Sequence, residues 1–525
     1  MASTKENSTR KATAAPSEDG SRKAECGPSR PRTLSAFGAW ALGFGCIIGW
    51  GCFFMPGTSF LPNAGPMGTA IALFIGALVM GCIAANYRFM MQHHPVDGGA
   101  FVFAQKSFGH SHGFACGWFL LLAFTPLVAQ NATSIALLSR NLMGSFAEFG
   151  FDYSLAGYQA YFGDVLLSLI VLGVFAFILI RSTRLGYIVQ TILACCIAAF
   201  LIIVVGGIIS SGSLSHEALQ PLYSPSKDPA MGVLAVLAMV PWAFVGFDVI
   251  SQTAGDFTFS VRKTGRVMAI AIVMGLLVYV TNTFIAAAFT PPQYDSWPAY
   301  IAELDDLSGI QAVPVFFAFC QLFGDTGRII LDVAVLGAVL SGIMGFGIAG
   351  SRVLVVMSEF GHLAPWLSER HPVYGTPRNA IIATFAAAAV FTLLGRSILS
   401  WIIDLSSVGA ALAFFYASAA TAKVAKRENH PVAAVFGVIG AALSVVFILL
   451  LVLPIPIVGS QLKIQSLVFL AGWIALGLNY YTPPYRKRAR VDFSSVVAID
   501  DPGESTPELP SQNVEAGRQG NLDAV

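Results

Sequence analysis

Apolar runs of about 20 residues recur along the whole chain, and they restrict its fold more than any other feature. A bilayer core asks for helices of about that length, because in lipid every backbone N–H and C=O must be paired within the segment. A large soluble protein with several buried helices is the competing reading. It fails on the number of such runs and on charge. Only 11% of the 525 residues are Asp, Glu, Lys or Arg, where soluble domains carry about 25%. The chain is therefore expected to be an all-α integral membrane protein with about twelve transmembrane helices.

By length and hydropathy the expected spans lie at about 36–58, 66–91, 113–138, 165–180, 185–209 and 231–255 in the first half. The second half gives about 267–289, 329–357, 380–394, 398–420, 432–453 and 464–479. Residues 1–32 and 483–525 are polar and mixed in charge, and read as disordered cytoplasmic tails flanking a transport domain at 33–482. The N-terminal tail has no early apolar core, so a cleavable signal peptide is not expected. Net charge is +1, which leaves no basic field for nucleic acid. The eight cysteines (Cys26, Cys46, Cys52, Cys82, Cys116, Cys195, Cys196 and Cys320) form no C-x-x-C pair. They read as small buried side chains rather than disulfides or metal ligands. No cofactor is called for.

Orientation follows from Lys and Arg. With the N-terminus inside, alternate loops hold Arg88 and Lys106, Arg181 and Arg184, Arg262, Lys263 and Arg266, then Arg352, Arg370 and Arg378, and Lys423, Lys426 and Arg427. The cluster from Arg486 to Arg490 falls on the same side. The loop at 291–328 is acidic, with Asp295, Glu303, Asp305, Asp306 and Asp325. This bias predicts an even number of spans with both termini cytoplasmic, and the expected location is the plasma (cytoplasmic) membrane.

Two spans carry residues that break helices. Span one contains Gly43, Gly45, Gly49 and Gly51, and ends in Pro56-Gly57. Gly45 and Gly49 fit G-x-x-x-G, so close helix packing is one reading of the glycines. A deliberate break is the other. Span six favours the break, because it holds Pro241, Gly246 and the acidic Asp248 at mid-span. An ionisable group at that depth is a functional candidate, here for carrying a proton, and the alternative is a hydrogen-bond partner for freed backbone N–H groups. Interrupted segments at corresponding places in two halves point to an inverted-repeat transporter. The repeats would run about 36–210 and 231–420, with two further helices at 432–480. Free N–H groups at such a break suit a carboxylate, and freed carbonyls suit an ammonium. A zwitterionic amino acid offers both.

At three places the sequence resembles the amino acid–polyamine–organocation (APC) transporter family. Ile47-Ile-Gly-Trp-Gly-Cys-Phe-Phe-Met-Pro-Gly57 and Ala64-Gly-Pro-Met-Gly68 are similar to that family's first-span motifs. Pro95-Val-Asp-Gly-Gly-Ala-Phe101 with Gly113-Phe-Ala-Cys-Gly-Trp118 resembles the second. Ser351-Arg-Val-Leu-Val-Val-Met-Ser-Glu-Phe-Gly-His-Leu-Ala-Pro365 with Gly375-Thr-Pro377 resembles the third. The resemblance covers roughly residues 32–481. It implies a LeuT-like five-plus-five inverted repeat plus two C-terminal helices, working as a permease or exchanger of the bacterial type.

Carried over by position, the resemblance implies that Cys46, Ile47, Ile48, Gly49, Trp50 and Gly51 form the span-one break whose amides bind a carboxylate. Ala243, Phe244, Val245, Gly246 and Phe247 form the span-six break whose carbonyls receive an amino group. Trp242 falls where some members close an aromatic over the substrate, and Asp248 where many carry Glu. Trp50 departs from the Ser or Thr of many members, and Glu359 departs from the usual start of the third motif. Trp50 either narrows the site or turns away to support the loop. Some proton-coupled relatives carry a Lys in span five that mimics sodium. Residues 186–207 contain no Lys. Sodium coupling would need hydroxyls and carbonyls from spans one and eight, with Ser341 as a candidate, and exchange needs no ion site.

Other polar residues take structural readings. His93 and His94 read as solvated loop residues, Asp332 and Asp404 as caps or partners near outer helix ends, and Arg140 and Arg396 as snorkelling side chains or, alternatively, as contacts for an anionic substrate. Asn131-Ala-Thr133 fits a glycosylation sequon but lies inside span three. The loop at 140–164 has no Cys, so a disulfide-linked heavy-chain partner is not supported. A membrane enzyme would want paired acids beside His110 and His112 or His93 and His94, and none accompanies them. A sensor that binds without transport is the remaining alternative. The aromatic lining leans toward neutral, aromatic or cationic substrates, polyamines and other organic cations included.

Overall fold

The computed structural model describes residues 32–143, 148–155, 158–212, 215–307, 309–453 and 462–481. Apart from Arg32, both predicted tails lie outside the described residues, as do Cys26, the Arg486–Arg490 cluster and the side chains of Arg140 and Arg396. Among the described residues the fold is helical, with one short antiparallel hairpin, β1 (Asp152–Leu155) against β2 (Tyr158–Tyr161).

Span one is two helices, α1 (Ala36–Ile47) and α2 (Gly51–Met55), followed by a π-turn over Pro56–Phe60. Ser35 caps α1 by accepting the Gly38 N–H at 3.1 Å, which pairs one orphan donor of the first turn. The helix α3 (Leu61–His93) carries span two. It bends at Gly65, which has φ +69° and presses so closely on the next layer that a Cβ would lie 2.7 Å from the backbone of Tyr223 and Ser224. Only glycine fits there, which accounts for the Ala-Gly-Pro motif. A short helix α4 (Gly99–Phe108) leads into α5 (His110–Met143), and α6 (Phe162–Arg181) and α7 (Thr183–Ser211) complete the first half.

Span six divides into α8 (Pro229–Ala238), α9 (Val240–Phe244) and α10 (Val249–Gln252). Next come α11 (Thr264–Ala288), the short α12 (Trp297–Ala302) and α13 (Pro314–Glu359), which is interrupted at Gly324. The last helices are α14 (Arg378–Leu393), α15 (Gly395–Arg427), α16 (Pro431–Val452) and α17 (Ile464–Tyr481). Nine helices among the described residues are long and apolar enough to cross a membrane. Expected spans one, six and nine fall on shorter or interrupted helices.

The outer helices identify the solvent. Only 28% of the apolar window of α16 is buried inside the protein, and 17% of that of α17. Val435, Val438, Leu476 and Leu478 face outward, as do Ile202 and Ile209 of α7. Helices that are apolar on both faces are stable with one face outward only when the surrounding medium is lipid. The apolar window of α5 is 83% buried and that of α15 78%. These two pack on each other, and α5 also packs on α13. The helix α1 is held among α7, α11 and α13, so the span-one break lies in the protein interior.

Candidate functional site at two helix breaks

Ile48 leaves the helical region (φ −98°, ψ 89°), and its N–H closes α1 on the Phe44 carbonyl at 3.0 Å. The chain resumes when Cys52 N–H reaches the Gly49 carbonyl (3.3 Å) and Phe53 N–H the Trp50 carbonyl (3.2 Å). Neighbouring helices hold the opened backbone. Asn131 of α5 accepts the Trp50 N–H at 3.3 Å and donates to the Leu127 carbonyl at 2.8 Å. From α11, Asn282 donates to the Cys52 carbonyl (2.8 Å) and Tyr279 to the Ile47 carbonyl (3.4 Å). Irregular backbone at membrane depth persists only with such support. Among the described residues, the N–H groups of Gly49 and Gly51 have no backbone acceptor.

In span six the chain opens at Val245 (φ −55°, ψ 132°) and Gly246 (φ +130°). Asp248 Oδ1 accepts the Gly246 N–H at 2.9 Å. Asp248 is thus a partner for freed backbone, one of the two roles expected of it. Its Oδ2 is buried without a hydrogen-bond partner among the described residues.

The two breaks meet. A Cβ on Gly246 would lie 2.6 Å from Cys46 Cβ and 2.7 Å from the Ile47 nitrogen. The Trp242 ring lies over Gly51, closing off the space a side chain there would need. Of the thirteen candidate residues from Cys46 to Gly51 and Trp242 to Asp248, only Gly49 and Trp242 keep partial exposure. Trp242 Nε1 is a buried donor with no acceptor among the described residues.

The glycines of span one do both jobs considered for them. Gly43 and Gly45 remain helical and pack closely, Gly43 against Ile250 and Gly45 against Ser341 and Gln190. Gly49 and Gly51 border the break. Trp50 is 1% exposed and packs on Phe54 (ring centroids 6.0 Å) and edge-on to Phe316 (6.0 Å). It therefore braces the second half of span one against the start of α13. Phe247 stacks on Phe414 (5.5 Å) and meets Tyr87 (5.9 Å), a packing role.

Arg352 corrects one expectation. It is no loop residue but sits inside α13, 3% exposed, where it pairs with Asp97 (3.3 Å) and Asp256 (3.0 Å). Asp256 also accepts the Tyr187 hydroxyl at 2.5 Å, and Asp97 accepts the Gly255 N–H at 2.8 Å. The network ties the second sequence motif to the third and to the end of span six. Arg352→Ala removes the cation that both carboxylates share and is expected to cost about 3–5 kcal/mol. A large drop in the melting temperature of the purified protein would show it. An unchanged melting temperature would contradict the assignment.

The histidines have structural partners. His93 ends α3 and contacts Glu428 at 2.6 Å, and His362 meets Gln105 at 3.0 Å and stacks on His110. Asp404 accepts from Ser466 at 3.2 Å. Asn131, a sequon residue by sequence, is 3% exposed and belongs to the break. No sequence signal marked it, Asn282 or Tyr279, because each acts on a span distant in the chain.

Known transport proteins resemble this chain over most of its length. The family described as amino acid permease matches residues 34–478. The chain is 23% identical to the methylthioribose transporter of Bacillus subtilis (strain 168) over 88% of its own length and 95% of the relative's. It is 25% identical to the branched-chain amino acid permease BcaP of the same organism, with the same coverage. It is 25% identical to the vacuolar cationic amino acid transporter 4 of Arabidopsis thaliana over 73% of this chain and 61% of that one. A multi-pass helical protein with two opposed helix breaks, matched over most of its length by these carriers, is a transporter rather than an enzyme, and the chain belongs to the amino acid permease family.

Proposed function

We propose that this chain is a secondary transporter that moves an amino acid or related amine by alternating access, holding it where α1–α2 and α8–α10 are broken. The observation that carries the reading is the contact of the two breaks at Gly246 and Cys46–Ile47, with the Trp242 ring over Gly51. The Gly49 and Gly51 amides are offered to a carboxylate, and the backbone from Ala243 to Phe247 receives the amino group. Rocking of one five-span repeat against the other exposes the site alternately, in the plasma membrane with both termini cytoplasmic. Asp248 is the candidate proton carrier, since its Oδ2 is buried and unpartnered among the described residues. The aromatic surroundings favour neutral, aromatic or cationic substrates over acidic ones.

The test is uptake by proteoliposomes of a labelled panel covering neutral, branched-chain, aromatic, cationic and acidic amino acids, amines and methylthioribose. Concentrative or exchange uptake of at least one neutral or cationic member is expected. Binding without flux for the whole panel would reject transport and favour a sensor.

A further inference from the structure

A cavity of about 380 Å³ lies on the side expected to be cytoplasmic, where the chain enters α1. Its walls are the residues just before α1, the end of α3, and the connection from α10 to α11 at 253–263. Arg32, Arg262, His93 and Ser260 contribute polar side chains, and Phe257 and Phe259 contribute an apolar face. The two phenylalanine rings stack with centroids 4.6 Å apart. Among the described residues no Asp or Glu lines the cavity.

The strap ahead of α1 is held by its backbone. The N–H groups of Thr33 and Leu34 both donate to the Asp256 carbonyl, at 3.0 and 2.9 Å. The Thr258 N–H donates to the Leu34 carbonyl at 2.9 Å. Leu34, 1% exposed, seats the strap in the protein. Arg32 and Arg262 thus reach one cavity from segments far apart in the chain. The carboxylates beside its walls are engaged elsewhere. Asp97 and Asp256 pair with Arg352, and Glu428 pairs with His93 at 2.6 Å and Arg427 at 3.2 Å. Arg88 lies against the first turn of α11, where a Cβ on Gly265 would meet its Cδ at 2.5 Å. Lys263 and Arg266 follow Arg262 in the chain. The surroundings of the cavity are therefore positive.

Two guanidinium groups at one cavity suit an anion with several oxygens, because each planar fork can bind two of them. A phosphate group meets this better than a carboxylate, having more oxygens and up to twice the charge. The volume is that of a small organic ligand rather than of phosphate alone, and the stacked phenylalanines offer its carbon part an apolar face. We propose that this cavity binds an organic phosphate, with the phosphate between Arg32 and Arg262 and the remainder against Phe257 and Phe259. Occupancy ties the strap ahead of α1 to the end of span six and slows the movement of α1. The slowing rests on the function proposed above. The binding does not.

The test uses the full-length protein. Its melting temperature is measured in detergent with phenyl phosphate, phenol or chloride at matched ionic strength. It is measured again in nanodiscs of phosphatidylcholine with increasing phosphatidylglycerol. A saturable rise is expected with phenyl phosphate if the phosphate is soluble, or with phosphatidylglycerol alone if it is a lipid headgroup. Arg32→Ala and Arg262→Ala should each weaken that response about tenfold in affinity, and Arg32→Lys should restore part of it. These variants also control for the general stabilisation that phosphate salts give folded proteins. The strap's bonds are backbone bonds, so Arg32→Ala should melt like the wild type when no phosphate is present. Should Arg262→Ala fail to fold, Arg32→Ala decides alone. In proteoliposomes the bound phosphate should lower wild-type uptake about twofold or more, and both variants should lose that inhibition.

No response to either phosphate overturns the proposal, as does a response that survives both substitutions. A rise in melting temperature with unchanged uptake overturns the slowing of α1. Melting needs no flux. A phosphate response that both variants lose, in a protein that moves no substrate, would reject transport while supporting the site.

Discussion

Gly246→Ala is expected to reduce uptake by about tenfold to hundredfold while the protein still elutes as a single folded species. Two costs combine at this residue. Its φ of +130° is one that residues with a Cβ rarely adopt, and such strain costs about 1–3 kcal/mol. The added methyl would also meet Cys46 Cβ at 2.6 Å and the Ile47 nitrogen at 2.7 Å. Backbone of span one cannot turn aside as a side chain can, so the two breaks must separate. Neighbouring glycines give an internal comparison. At Gly51 the obstacle is the Trp242 ring, which can shift. At Gly49 it is the Asn131 amide, which would lie 3.1 Å from the added methyl and needs to yield only slightly. Loss of uptake should therefore rank Gly246→Ala above Gly51→Ala above Gly49→Ala, and valine should extend the loss to all three. Normal uptake by Gly246→Ala would mean that contact between the breaks is dispensable, and the proposed site would fall with it.

The breaks were legible because glycine and proline act on their own backbone. Gly49, Gly51, Pro241 and Gly246 announce their effect wherever the chain goes. Asp248 was legible as an anomaly, since charge at membrane depth is costly, but its bond to the Gly246 N–H depends on a turn that only the fold reveals. Residues that serve a distant span carried no local signal. Asn131 resembled an unused sequon, and Arg352 one more basic loop residue. Their roles arise from contacts across 81 and 255 positions. Trp50 was undecidable by sequence, because narrowing a site and bracing a loop ask for the same bulky side chain. The brace needed Phe316, which lies in a segment whose length and acidity indicated a loop, yet residues Pro314–Gly324 form a helix. Pro314 seats that helix against Gly57, so the second half of span one is gripped by a part of the chain that hydropathy alone leaves outside the membrane.

Asp248 is where the capping and proton-carrying roles separate experimentally. Asp248→Ala removes the acceptor of the Gly246 N–H and leaves a buried donor unpaired, a loss of about 1–3 kcal/mol. Uptake is expected to fall about tenfold or more at every pH. Asp248→Asn keeps an oxygen where Oδ1 stands, so the cap and the turn survive, but it abolishes the group that gains and loses a proton. If Oδ2, buried and unpartnered among the described residues, is where the proton rides, wild-type uptake rises as the outside is acidified and Asp248→Asn shows a flat response at a reduced rate. An Asp248→Asn protein that transports with the full wild-type pH response would confine Asp248 to holding Gly246 and move the search for coupling elsewhere. Asn keeps an oxygen for the Gly246 N–H but cannot carry a proton, whereas Ala does neither, so the three proteins assayed together separate the cap from the proton on one side chain.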